Sequence, residues 1–198
     1  MYKVLQEIKT ILIELLPWIP VITFIRLVVN FIRWKKRMQS TLWHEIGAGL
    51  FLLYLVAVSL MAVPFISFLA GLRLQSSVNL IPFNGIWVIL QQGDIKYIVL
   101  NIIGNITMFI PIGFLIPLLW NKLRGFITVL AYGIGLSLLI ETLQFFISRG
   151  TDIDDLILNT LGVLLGYIFY YIFSRLFPAF AVNFNIMSKE INSDSYKT

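Results

Sequence analysis

Apolar runs long enough to cross a lipid bilayer occupy most of this chain. From about Ile46 to Leu72, Tyr97 to Trp120, Phe126 to Ser148 and Ile153 to Phe177 the sequence is nearly continuously apolar. Each run reaches the ~20 residues that a helix needs to span the hydrocarbon core. A further run, about Ile11 to Ile32, is interrupted by Glu14, Pro17, Pro20 and Arg26 and is expected either to span or to lie partly in the interface. Short charged loops separate the runs, so the pattern is that of a bilayer protein and not of a buried soluble core. Composition agrees, with 59% hydrophobic residues, 13% charged and a mean hydropathy of +0.88, well outside the make-up of a soluble domain. The expected fold class is therefore an all-α integral membrane bundle of about five transmembrane helices.

One apolar stretch is too short to cross. Between Arg73 and Lys96, the segment Leu80-Ile81-Pro82-Phe83-Asn84-Gly85-Ile86-Trp87 carries a tryptophan suited to the headgroup layer, which predicts an interfacial or re-entrant element. No internal repeat is visible. The chain divides into an N-terminal transmembrane region (1–74), a second transmembrane domain (75–178) and a polar cytoplasmic tail (179–198). No removable signal peptide is expected, because the first apolar run lacks a small-residue cleavage site and leads into Arg33, Lys35, Lys36 and Arg37.

The net charge of +5 would point to nucleic acid in a soluble protein, but here the basic residues cluster at the ends of apolar runs and report topology, so nucleic acid is not an expected partner. Cytoplasmic loops retain Lys and Arg. Placing Arg33, Lys35, Lys36 and Arg37 inside also places Lys122, Arg124, Arg175, Lys189 and Lys197 there, nine against the five of Lys3, Lys9, Arg73, Lys96 and Arg149 outside. The loop Ser148 to Asp155 then faces outward, as does the interfacial element with Asn79, Pro82 and Phe83.

Polar residues inside the spans can be placed by depth. At ~1.5 Å rise per residue, Asn101 and Asn105 lie roughly 6 and 12 Å below the outer surface, and Glu141 and Gln144 roughly 10 and 6 Å below it. Both pairs sit in the outer half of the bilayer. Asn101 and Asn105 are four apart, Glu141 and Gln144 three apart, and Asp152, Asp155 and Asn159 follow at three and four, so each helix offers one polar stripe if the last begins early enough. An ionisable residue within a span turns towards a partner or a wet cavity, which makes Glu141 a candidate functional residue, with Arg149 the nearest basic partner in sequence. The competing reading is that these amides and a protonated Glu141 simply hold helices together. Convergence in depth from three segments favours a cavity, because helix adhesion does not require it.

Other features carry less. Gly162 and Gly166 fit a close-packing motif between spanning helices. His44, beside Glu45 at the cytoplasmic end of the second run, is expected at the interface, since a lone histidine makes no metal site. Asp152, Asp154 and Asp155 include the hard oxygen ligands that magnesium or calcium takes, but three acids at a helix start also suit its dipole, and no metal is assigned. With no cysteine in the chain, thiolate zinc sites, disulfides and cysteine nucleophiles are excluded. Glu141 with a loop aspartate could form an acid and base pair if burial raised one of their pKa values. No cofactor motif is present.

Taken in order, Asn79-Leu80-Ile81-Pro82-Phe83, Asn101-Ile102-Ile103-Gly104-Asn105, Phe109-Ile110-Pro111-Ile112-Gly113, Glu141-Thr142-Leu143-Gln144, Arg149-Gly150-Thr151-Asp152-Ile153-Asp154-Asp155 and Asn159-Thr160-Leu161-Gly162 resemble the VanZ-like family. The resemblance covers roughly Asn79 to Tyr171. It implies a bacterial plasma-membrane protein of the cell envelope, in a family named for a member that confers low-level resistance to the glycopeptide antibiotic teicoplanin. It implies a site drawn from Asn79, Pro82, Phe83, Asn101, Asn105, Glu141, Gln144, Arg149, Asp152, Asp155 and Asn159. Membrane lipid, a lipid-linked cell-wall precursor or a lipoglycopeptide are the partners such a site would meet. Two other functions stay open: an intramembrane enzyme acting on a lipid or cell-wall precursor head group, and a membrane scaffold.

Overall fold

The structure, a computed structural model, describes residues 15–35, 38–62, 78–146, 150–184 and 186–188. Helix α1 (Trp18–Lys35) is followed by the short strand β1 (Met38–Ser40) and by α2 (Leu42–Ala62). After β2 (Val78–Asn79) come the nine-residue α3 (Asn84–Gln92) and the long α4 (Ile95–Leu119), then α5 (Phe126–Phe146), β3 (Thr151–Asp152) and α6 (Ile153–Leu176). A one-turn helix α7 (Pro178–Val182) and strand β4 (Ile186–Ser188) close the described chain.

Four of these helices, α2, α4, α5 and α6, are long and apolar enough to cross a membrane. Their 20 to 25 residues correspond to roughly 30 to 38 Å, against a hydrocarbon core of about 30 Å. Helix α1 carries three basic residues, Arg26, Arg33 and Lys35, and stands apart from the four. It packs antiparallel on α2 and turns Phe24, Leu27, Phe31 and Trp34 outward, which completes the bundle of about five helices.

Local chemistry sets the helix ends. Helix α2 begins four residues earlier than its apolar run suggests because the Thr41 hydroxyl accepts the N–H of His44 at 3.1 Å, capping the first turn. The remainder of that expected run, beyond Ala62, lies outside the described residues. Asp152 does the same for α6, accepting the N–H of Asp154 at 2.9 Å. Helix α4 contains a π-helical turn at Val99–Ile103, which includes Asn101 and ends two residues before Asn105.

The tightest seam joins α4 to α6. A Cβ on Gly113 would stand 2.0 Å from the Val163 carbonyl oxygen, one on Gly162 2.2 Å from that of Ile106, and one on Gly166 2.1 Å from that of Ile110. The backbones therefore touch, and the close-packing role expected of Gly162 and Gly166 is what the structure shows. Phe109, Ile112 and Leu119 fill the core beside this seam.

At the opposite end from the aspartates, α2, α4 and the C-terminal segment meet around His44. His44, expected at the membrane interface, stands in the first turn of α2 and is packed inside the protein there: it is 0% exposed, its Nδ1 is 2.8 Å from the Phe184 carbonyl oxygen, and its ring meets Trp120 edge-on. The Thr41 hydroxyl also donates to the Asn183 carbonyl, and β4 pairs antiparallel with β1, which ties the chain after α6 back to the start of α2. Arg26, which interrupts the first apolar run, is paired. Glu45 Oε2 accepts from its Nη2 at 2.6 Å and from Asn30 Nδ2 at 2.8 Å, while Oε1 accepts from Arg33 Nη1 at 3.1 Å. Arg33, Lys35, Lys122, Arg124 and Arg175 all belong to this end, whereas Asp94, Asp152, Asp154 and Asp155 belong to the other.

Candidate functional site

At the aspartate end, the loop into α6 is built on side-chain caps. Strands β2 and β3 pair in parallel, with Asn79 opposite Asp152, and Asn79 Nδ2 donates to Asp152 Oδ1 at 3.0 Å. Phe83 precedes α3 in a left-handed conformation, φ 65°, and offers no side-chain cap of its own. The missing cap comes from α6. Asp154, 2% exposed, accepts the backbone N–H of Phe83 with one oxygen and that of Ile86 with the other, the second at 3.0 Å. A carboxylate at a helix N-terminus satisfies orphan donors and meets the positive end of the dipole. Gly85 lets it approach, since a Cβ there would stand 2.5 Å from Asp152 Oδ2 and 3.1 Å from Asp154 Oδ2.

Helix α3 buries none of its own residues. This cap is therefore expected to hold most of its docking. Asp154→Ala should weaken it by about 3 kcal/mol, seen as amide exchange on the order of 100-fold faster across residues 84–92 while the centres of α4 and α6 stay protected. Gly85→Ala should loosen the same residues by pushing the two carboxylates away. Unchanged exchange in both variants would show that the cap does not hold the helix.

Below this loop, α2, α4, α5 and α6 enclose a cavity of ≈ 540 Å³. One wall is polar and drawn from three helices: Asn101 and Asn105 from α4, Glu141 and Gln144 from α5, Asp155 and Asn159 from α6. The rest of the lining is mainly apolar, with Tyr54, Ala57, Val58 and Met61 of α2 and Leu100 and Met108 of α4. Asn105 Nδ2 donates to Asp155 Oδ1 at 2.6 Å, and Asn159 Nδ2 donates to Ser137 Oγ at 2.9 Å. Glu141 joins cavity to loop: its Oε2 accepts the N–H of Asp152 at 3.2 Å, and its carbonyl accepts from the Thr151 hydroxyl at 3.3 Å. The Tyr54 hydroxyl donates to the Met108 carbonyl, pinning α2 to α4 beside the cavity. Among the described residues no three of His, Cys, Asp and Glu come together as a metal-binding group.

A match to the VanZ/LLP1 family extends over residues 48–174, from the first turns of α2 to near the end of α6. The chain belongs to the VanZ/LLP1 family. It is 36% identical over 97 residues to Protein VanZ of Enterococcus faecium, an alignment that takes in 48% of this chain and 53% of that protein. The chain thus spans about half the length of the curated relative it matches. No solved structure matches it. With its four apolar helices, this VanZ/LLP1 protein is a multi-pass membrane protein.

The family region is wider than the Asn79 to Tyr171 stretch that carries the resemblance, and it takes in the α2 wall of the cavity. Of the residues grouped from sequence in this VanZ/LLP1 chain, Asn101, Asn105, Glu141, Gln144, Asp155 and Asn159 line the one cavity. Asn79 and Asp152 stand in the loop beside it, and Phe83 takes part through its backbone N–H while its ring is exposed. Pro82 is exposed and does not line the cavity. Arg149 lies outside the described residues. Asp152 does not continue the α6 stripe, because it is the extended cap residue before the first helical turn. Only Asp155 and Asn159 are in helical phase. Sequence reasoning passed over Ser137, although its spacing of four and seven from Glu141 and Gln144 puts it on their face. It also left out Asp154.

Proposed function

We propose that this protein lies in the bacterial plasma membrane with its aspartate end outward, and that the polar cavity is the site through which it raises tolerance to glycopeptide antibiotics. The observation that carries this reading is the cavity itself. Six polar side chains from three helices converge on one space whose remaining lining is mainly apolar, in the half of the bundle that holds Lys96 but none of Arg33, Lys35, Lys122, Arg124 and Arg175. Asn105 bonds to Asp155 and Asn159 to Ser137 directly across helices, as adhesion requires, and a space of ≈ 540 Å³ remains beside them that adhesion does not require. Partners at this depth are membrane lipid, a lipid-linked cell-wall precursor, or the acylated end of a lipoglycopeptide. The family resemblance supports a part in resistance, and teicoplanin carries the acyl chain that vancomycin lacks. Each methylene buried in the leaflet contributes about 0.8 kcal/mol, so an acyl chain brings a drug to the level of the cavity.

Expression in a susceptible Gram-positive host is therefore expected to raise the inhibitory concentration of teicoplanin more than that of vancomycin. Glu141→Gln or Asp155→Asn, which keep shape and delete charge, should remove the difference while membrane levels of the protein stay unchanged. Equal protection against both drugs, or full protection by the substituted proteins, would overturn this reading.

A further inference from the structure

The chemistry that the cavity accepts follows from the atoms on its wall. Asn159 is 2% exposed; its Nδ2 is bonded to Ser137, and its Oδ1 is buried with no partner among the described residues. A buried acceptor left unbonded costs about 1–3 kcal/mol, so a donor group placed against it stabilises the wall. Beside it stand the carboxyl groups of Glu141 and Asp155, which when ionised only accept. A hydroxyl both donates and accepts, so it satisfies the Asn159 amide whichever way round that amide stands.

The other wall asks for hydrocarbon. Met61 on α2 and Leu100 on α4 line the cavity yet are 53% and 62% exposed, and both belong to helices long enough to span. The rim is therefore open on an apolar side. A volume of ≈ 540 Å³ falls within the range that ligand sites occupy, about 300–1,000 Å³. It admits a sugar ring with part of a chain, and the rest of the chain must leave over the rim.

We infer that the cavity binds the hydroxyl-rich, sugar-like head of an amphiphile, seated at Asn159 and Asn105, with its alkyl chain passing over Met61 and Leu100 into the outer leaflet. The inference rests on the cavity being the functional site and names the ligand class for it. Such a head could belong to a membrane glycolipid or to the acylated sugar of a lipoglycopeptide, and the two sources share this chemistry.

The chain has no cysteine, so Ala57→Cys in the full-length protein, in phosphatidylglycerol vesicles, supplies a single reporter inside the cavity. Leu139→Cys, on an exposed position of α5, reports general effects on the membrane. Octyl glucoside, below its solubilising concentration, is expected to slow maleimide labelling at position 57 saturably. The slowing should reach about fivefold when about four-fifths of the sites are filled, because only empty sites react. Labelling at position 139 should not change, and octyl phosphocholine, octanol and free glucose should have little effect. Adding Asn159→Leu should abolish the slowing. If that protein fails to purify as a single species, Met61→Trp, which blocks the rim and leaves the amide intact, should abolish it instead. Equal slowing by octyl phosphocholine or octanol, slowing without saturation, or no slowing overturns the inference. Vesicles containing glucosyl diacylglycerol, and teicoplanin added to vesicles without it, separate the two sources. Sugar-specific binding with no drug phenotype would overturn the resistance reading alone, and a drug phenotype without sugar-specific binding would overturn this inference alone.

Discussion

The Gly166→Leu substitution is expected to leave no folded bundle. At this position a first side-chain carbon would stand 2.1 Å from the Ile110 carbonyl oxygen and 3.0 Å from the Gly113 Cα, both of them backbone atoms of α4. An overpacked core that can move a side chain aside loses about 1–3 kcal/mol. Here the obstacles are main chain, and Gly113 and Gly162 press the same two helices together from neighbouring turns, so no local adjustment relieves the clash. The cost therefore exceeds that range, and a loss of about 5 kcal/mol or more empties the folded state of a protein at the lower end of the usual ~5–15 kcal/mol of total stability. Gly113→Leu should behave alike. Gly135→Leu is the control, because nothing lies within 4 Å of the carbon it would add. The yield of monodisperse protein and its thermal midpoint in detergent report the result. If the position 166 and position 135 variants purify equally, the close seam between α4 and α6 does not hold the bundle together.

The second large effect is all-or-none. Thr151→Cys, in the loop beside Asp152, is expected to react with an impermeant thiol reagent on intact cells, and Gln92→Cys, exposed at the end of α3, should react with it too. Asn121→Cys, exposed between α4 and α5 at the lysine- and arginine-rich end, should react only after the cells are opened. The positive-inside rule supplies the direction. Reversed labelling would put the cavity in the inner leaflet, out of reach of an antibiotic arriving from outside, and would remove the physical basis for discrimination by lipidation.

The spans were legible because a bilayer demands length and apolarity from every crossing helix, and those demands are written locally. Expected and observed ends of α4, α5 and α6 differ by two residues or fewer among the described residues, since Asp152, Trp120 and Phe177 sit where capping or extended residues must sit. Half of the cavity was legible for a related reason. Glu141 with Gln144, and Asp155 with Asn159, are spaced to share a helical face, and depth brought those faces level. The other half was not, because Ala57, Val58 and Met61 are ordinary apolar residues whose role appears only when α2 is seen against α4. The π-helical turn hid a second point. It contains Asn101 and ends just before Asn105, so the two do not share an uninterrupted α-helical face; Asn101 bonds back to the Tyr97 carbonyl at 2.8 Å while Asn105 reaches Asp155. Asp154 was read as one of three acids at a helix start. Nothing near it in the chain announces that it caps a different helix.

That distant cap bears on how the protein is made. Phe83 and Ile86 wait for a carboxylate 71 and 68 residues further along, and at about 5–20 residues per second this is on the order of 4 to 14 s of synthesis. Until α6 has been delivered to the membrane, the first amides of α3 have no partner from the bundle, so this segment settles after helices that follow it in the chain. A nascent protein stalled before Asp154 should present residues 78–92 as a protease-sensitive loop, and the arrival of one aspartate would then mark completion of the aspartate end.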